Sequence, residues 1–288
     1  MSIPNDVLSV AFMAKGYAHG RVSSSIDQQD IDYLRRIQRS NVVAAGVALD
    51  AALNGTDQIT KNLNSTASGR AAIFSDYGVA VARQFDLGGV PVSVGVTPKL
   101  QKTWVYNYTT SIYDYDSNKW NDSRYRTDDT GFNVDAGIAA DFGEHWTVGV
   151  SGQNLMSRDI DTKDIRIRNG RTGEVVSYKD TYQIRPLVTA GAAWHNDLVT
   201  LTADGDLTET KGFKSEDTSQ YVGVGAEVTP LSWLAVRAGY RADVKGNDSN
   251  VFTGGVGFAP FSTVHVDLMG LYGEDETWGA GAQLSMTF

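Results

Sequence analysis

The closing stretch Trp278-Gly-Ala-Gly-Ala-Gln-Leu-Ser-Met-Thr-Phe288 decides the fold class. Successive side chains of a strand point to opposite faces. Trp278, Ala280, Ala282, Leu284, Met286 and Phe288 therefore share one face, and Gly279, Gly281, Gln283, Ser285 and Thr287 the other. Working outward, the same period of two returns. Val264, Val266 and Leu268 oppose Thr263, His265 and Asp267; Leu234, Val236, Ala238 and Tyr240 oppose Ala235, Arg237, Gly239 and Arg241. Val222, Val224, Ala226 and Val228 oppose Tyr221, Gly223, Gly225 and Glu227, and Phe132, Val134, Ala136 and Ile138 oppose Asn133, Asp135 and Gly137. A soluble sandwich alternates as well, so the period alone does not name the solvent outside.

Three further features do. The alternating segments run about 10 to 15 residues, whereas soluble strands centre near 5 or 6 and a tilted bilayer-crossing strand needs about 9 to 11. Tight links at Asp86–Gly89, Gly143–His145, His195–Asp197, Thr229–Ser232 and Ala259–Ser262 alternate with long ones near 107–129, 156–178, 208–218 and 243–250. Short turns on one side and long loops on the other mark outer-membrane barrels. Phe85, Phe142, Trp146, Trp194, Trp233, Phe258, Phe261 and Phe288 all fall at short-turn ends, as an interfacial aromatic girdle would.

The expectation is an all-β fold: an antiparallel transmembrane β-barrel of about 12 strands, or 14 in a longer chain, forming one domain over 1–288. The strands are placed near 6–22, 71–85, 90–106, 130–142, 145–156, 179–194, 198–208, 219–228, 231–243, 250–259, 262–272 and 277–288. Residues 24–69 break the period and read as a helical loop or plug insertion. Ser25-Ile-Asp-Gln28 is a capping-box pattern ahead of Ile31, Leu34 and Ile37. Ser40 caps a second helix carrying Val43, Val47 and Ala51 and ending at Asn54-Gly55.

Composition removes whole classes of function. The chain has 288 residues, a net charge of −9 and no cysteine. Disulfides, thiolate metal sites and cysteine nucleophiles are excluded. At a pI of about 4.9, no basic footprint for direct nucleic-acid binding is expected. There is no phosphate-binding Gly-rich loop ending in Lys-Ser/Thr and no His-Glu-x-x-His. Gly149-Val-Ser151-Gly152 lacks the second glycine of a nucleophile elbow. His145 and His195 fall in tight turns, and His265 with Asp267 lies beside a short turn, the wrong rim for a surface protease dyad. No catalytic residue, cofactor or metal is expected.

A family resemblance rests on an ordered set of motifs. Gly149-Val-Ser-Gly-Gln-Asn-Leu-Met-Ser-Arg-Asp159, Val94-Gly-Val-Thr-Pro-Lys99 and Ala203-Asp-Gly-Asp-Leu207 come first. Ala235-Val-Arg-Ala-Gly-Tyr240, Thr253-Gly-Gly-Val-Gly257 and Gln283-Leu-Ser-Met-Thr-Phe288 complete it. Over about 70–288 the chain resembles the conjugal-transfer TraF-like outer-membrane family, itself similar to the FadL-like long-chain fatty acid transporters. The resemblance implies a non-enzymatic outer-membrane barrel of Gram-negative cells, associated with plasmid conjugal transfer. The alternatives are a FadL-like channel for hydrophobic small molecules and a soluble ligand-binding barrel. No signal-peptide pattern precedes the first strand.

Two groups of residues are candidates for function. Alternation turns Asp135, Arg185, Asp204, Glu227, Arg237, Arg241, His265 and Asp267 toward the lumen. They read either as an ion-pair network filling a closed barrel or as a polar pore in which Arg185, Arg237 and Arg241 select anions. The segment 104–126 gathers Tyr106, Tyr108, Tyr113, Tyr115, Trp120 and Tyr125. It reads as an exposed contact loop or as an upper girdle. Expected partners are outer-membrane lipid and, through the long loops, other cell-envelope or conjugation proteins.

Overall fold

The computed structural model describes residues 2–3, 8–40, 43–48, 63–119, 122–170, 172–261, 264–274 and 278–286. β1 (Ser2–Ile3) and β2 (Ser9–Ser25) precede α1 (Gln28–Arg39), and β3 (Thr66–Leu87), β4 (Val90–Ser111), β5 (Arg126–Phe142) and β6 (Trp146–Gln153) follow. The next connection holds β7 (Arg158–Asp161), β8 (Ile165–Arg168), β9 (Val175–Tyr178) and β10 (Thr181–Ile184). The wall resumes with β11 (Leu187–His195), β12 (Val199–Asp206), β13 (Tyr221–Leu231), β14 (Leu234–Asp243), β15 (Val251–Phe261), β16 (Val264–Gly273) and β17 (Trp278–Met286). One 13-stranded sheet runs β1-β2-β3-β4-β5-β6-β11-β12-β13-β14-β15-β16-β17, every neighbour antiparallel. This is the up-and-down meander of a barrel wall, twelve long strands plus the two-residue β1. Among the described residues no pairing joins β17 to β1 or β2.

The hairpin turns follow from their residues. Gly88 (φ 68°) and Gly89 (φ 87°) form the two-residue link between Leu87 and Val90. Two positive φ angles make the type I′ turn whose twist matches its strands. Gly89 N also donates to Asp86 Oδ1 at 2.7 Å.

The outer face is apolar and bare. Val94, Val96, Leu100, Phe132, Ile138, Val148, Val150, Val224, Val236 and Leu268 are all exposed on it, a contiguous apolar face of a kind that monomeric soluble proteins rarely leave uncovered. Phe132 and Phe142 lie ten residues apart on β5, about 33 Å along the strand. At a tilt near 40° that spans about 25 Å, the height of a barrel's apolar band. Phe85, Phe142, Trp146 and Trp233 are exposed at the short-turn rim. Tyr240 against Phe252 (ring centroids 4.7 Å) and the cross-strand pair Tyr272–Trp278 stand nearer the other rim. The side chains of Phe261 and Phe288 lie outside the described residues.

Several boundaries differ from the sequence reading, four of them for evident physical reasons. β3 starts at Thr66 and β4 continues to Ser111, paired residue for residue. The extension is held by tertiary contact, because Thr103, Val105, Asn107 and Thr109 keep alternating and are buried on the inner side. The expected strand 179–194 splits at Arg185-Pro186, since proline cannot donate to a ladder, and β10 leaves the wall to pair with β7. α1 is capped by Asp27 rather than Ser25: Asp27 Oδ1 accepts from Gln29 N at 2.8 Å, while Ser25 still pairs with Thr66. Ser40 caps residues 43–48 through Val43 N (3.3 Å); Ala51 and Asn54-Gly55 lie outside the described residues.

Candidate functional site

Register lines the inner face strand by strand. Asp76 stands opposite Gln101, Lys99 opposite Asn133, and Thr97 opposite Asp135. Lys99, only 4% exposed, donates from Nζ to Asp135 Oδ2 at 2.8 Å and lies 3.2 Å from Asp76 Oδ2. One cation between two carboxylates is how a buried ammonium is kept charged.

Above this triad the lumen is filled by the connection between β6 and β11. It enters through Asn154, in the left-handed region at φ 52°, whose N donates to Asp135 Oδ1 at 2.7 Å. Ile160, Tyr182 and Ile184 then pack on Ala72, Phe74 and Val105 of the wall, with Tyr17 stacked on Phe74 at 4.5 Å. Phe213, from the link between β12 and β13, completes this core and is fully buried. Polar ties fix the insertion. Asn107 Nδ2 donates to Lys163 O (3.0 Å) and Tyr178 O (2.8 Å). Arg158 pairs with Asp129 at 2.8 Å. Arg70 Nη1 donates to Asp180 Oδ2 and Ser215 Oγ, both at 2.7 Å. Burial pushes the Tyr182 hydroxyl up to about 12, with nearby Glu216 adding to the shift.

The opposite wall is open. A cavity of about 740 Å³ is lined by Asp204, Glu227, Arg237, Arg241 and Asp267, with Gly223, Gly225, Gly239 and Gly255 between them. Arg237 is gripped by Glu227 from the neighbouring strand and by Asp267 from β16. The Arg241 guanidinium lies 4.3 Å from the Tyr221 ring centroid. His265 shares the face of Asp267.

Arg185 is not part of this wall. It stands between β10 and β11, pairs with Asp159 at 2.6 Å and donates to Ile184 O at 3.0 Å, so the three arginines do not form one anion-selecting ring. Tyr106 and Tyr108 are not loop residues either: both lie in β4 and are buried. Tyr108 packs on Tyr115 and Tyr125 (5.6 and 4.8 Å) and its hydroxyl accepts from Asp116 N at 2.9 Å. Tyr113 and Tyr115 are exposed, and Trp120 lies outside the described residues. Asn107, Asn154, Arg70, Asp180 and Phe213 carry much of the lumen architecture and were not picked out as candidates. All bond to or belong to segments that lack a strand period. Among the described residues no three His, Asp or Glu side chains are grouped to hold a metal, and no helix is long and apolar enough to cross a membrane.

The family model described as "F plasmid transfer operon, TraF, protein" matches residues 1–206. The chain belongs to this TraF family. No curated protein sequence matches it significantly. Among solved structures, the TraF-family barrel is similar to the toluene transporter TbuX of Ralstonia pickettii. The TM-score is 0.56 at 11% identity, covering 100% of this chain and 80% of that one. The OmpF porin of Salmonella typhi (TM-score 0.34, 10% identity, 99% and 98% covered) and OmpT of Vibrio cholerae (0.33, 9%, 98% and 96%) are weaker matches. Together with the bare apolar belt, the TbuX-like fold makes this TraF-family chain an outer-membrane β-barrel protein. The family and these neighbours are not enzymes.

Proposed function

We propose that this barrel is a non-enzymatic outer-membrane component of plasmid conjugal transfer. It works as one domain over 1–288 and meets other cell-envelope or conjugation proteins through its long connections. The family membership supports the setting, and one observation carries the reading: β3 and β4, each 22 residues long, rise past the apolar belt and are buttressed from inside by β7, β10 and Phe213. That rigid stalk presents Tyr113 and Tyr115, rings that give contact area at little entropy cost. The helical insertion then acts as a surface cap tied to the stalk, since Asp30 (2% exposed) accepts from Asn64 N, Ser65 N and Ser65 Oγ within 2.8 Å. The test is plasmid transfer between cells carrying the deleted gene, complemented by wild type or by Tyr113→Ser/Tyr115→Ser. Transfer should fall in the deletion and in the double variant at equal surface level. Full transfer without the protein would overturn the reading.

The FadL-like alternative has one observation in its favour. Pro98 interrupts the ladder, so pairing of β3 with β4 lapses between Gly78/Lys99 and Val81/Val96. There a groove of about 650 Å³ opens on the lipid side between Phe12, Tyr77, Leu100 and Phe132. Uptake of a hydrophobic solute such as the toluene named for TbuX, lost when Ala14→Phe fills the groove that Ala14 lines, would move the assignment to transport.

A further inference from the structure

Two cavities meet inside the barrel wall below the hairpin insertion. The first is the space of about 740 Å³ against β12–β16; the second, about 510 Å³, lies against β3–β6 and β11 and is lined by small or hydroxyl side chains such as Ser93, Ala139, Thr147, Ser151 and Thr189. Asp204 of β12 lines both. Unlike the other lumen carboxylates, it has no hydrogen-bond or ion-pair partner among the described residues. Glu227 and Asp267 are spent on Arg237, and that trio still carries one negative charge in excess. Arg241, the remaining cation of the larger cavity, stacks over the Tyr221 ring, so three carboxylates face two guanidinium groups. Across these cavities the fixed charge is thus net negative, and the one unpaired carboxylate stands where they join.

We propose that the barrel conducts small hydrated cations along the β11–β16 wall, with Asp204 as the residue that determines selectivity. This activity stands apart from the transfer role above and does not depend on it. The glycines at 223, 225, 239 and 255 leave the wall without side chains at the height of the charges, so a hydrated ion passes beside the Arg237 trio rather than through it. An unpaired carboxylate facing a water-filled lumen raises the local cation concentration and repels anions.

The test is the reversal potential of the refolded full chain in planar bilayers under a potassium chloride gradient. Wild type should conduct with a cation-selective potential. Asp204→Asn, a near-isosteric change at an open lumen position, should lower the potassium-to-chloride permeability ratio by about threefold. Arg237→Gln should raise it, because it removes the opposing charge. Heat-modifiable mobility on gels checks that each variant is folded, and Asp204→Glu should keep wild-type selectivity. Absence of conductance, an anion-selective potential, or an unchanged ratio in folded Asp204→Asn would each overturn the proposal.

Discussion

At the scale of single residues, adjacent positions on one strand live in different solvents. Val236 is 45% exposed on the outer face of β14, and Ala235, its neighbour, turns inward opposite Gly257. Val236 lies three residues in from the rim aromatic Trp233, so Val236→Arg should cost about 1 to 3 kcal/mol, below the midplane range for a basic residue, and Ala235→Arg distinctly less. Denaturant titration in detergent or lipid measures both; equal costs would mean that the two faces do not differ as the register says. Lys99 gives a second case. Removing it as Lys99→Ala leaves Asp76 and Asp135 facing each other with no cation, so roughly 3 to 5 kcal/mol should be lost. Adding Asp76→Asn and Asp135→Asn to Lys99→Met should recover part of that loss, because an uncharged trio needs no counter-ion. A triple variant as unstable as the single one would show that packing of the lysine stem, not charge, is what holds the site.

At the scale of elements, the wall strands were legible because each repeats its period over eight or more residues and one whole face must meet lipid. The insertion was not: β10 was read as the start of the wall strand 179–194, and β7 to β9 as part of a long loop. β7 and β10 are four residues each, too short for a period to stand out. Their inward course depends on Asn107 reaching carbonyls 56 and 71 residues away. The sequence reading left 24–69 as either a loop or a plug and had no candidate for the lumen core, which among the described residues is made by β7, β10 and Phe213 against the wall. Phe213 is the hinge of that difference. Flanked by Gln183 N donating to Gly212 O and Lys214 N donating to Thr181 O, both at 2.8 Å, it pins the 207–220 link into the core. A Cβ at Gly212 would meet the His19 ring and the Glu216 carboxylate, so both side chains would have to move for any other residue there. Phe213→Ala should release about 3 to 5 kcal/mol of local stability. Hydrogen exchange would then rise across 207–220 while the wall strands stay protected. The same link is tied to its neighbour by Lys245 Nζ donating to Glu209 Oε1 at 2.6 Å. That bond, with a second from Thr218, holds Glu209 below the ordinary glutamate value of 4.5. A depressed carboxylate adds stability above its unfolded pKa and loses it as pH falls through the folded one, so the tie should loosen only below pH 4.5. Lys245→Ala should return the Glu209 titration, followed by NMR, toward the ordinary value.

At the scale of the whole molecule, orientation follows from the asymmetry of the two rims. Turns such as Gly88-Gly89 and 143–145 close one end. The other carries α1, the Tyr108–Tyr115–Tyr125 cluster and the links 207–220 and 244–250, cross-tied by Lys245–Glu209 and by Asn247 Nδ2 donating to Thr218 O at 2.8 Å. Single-chain bacterial barrels put short turns in the periplasm and long loops outside. Epitope tags inserted at Ser117 or Gly246 should therefore be reached by antibody on intact cells. Tags at Glu144 or Asn196 should be reached only after the outer membrane is opened. Both insertion pairs fall in exposed connections, so the barrel should tolerate them and the comparison is between sides, not between folded and unfolded protein. Labelling of Glu144 on intact cells with none at Gly246 would invert the molecule. It would also put the short-turn rim, rather than the tyrosine-bearing stalk, at the cell surface.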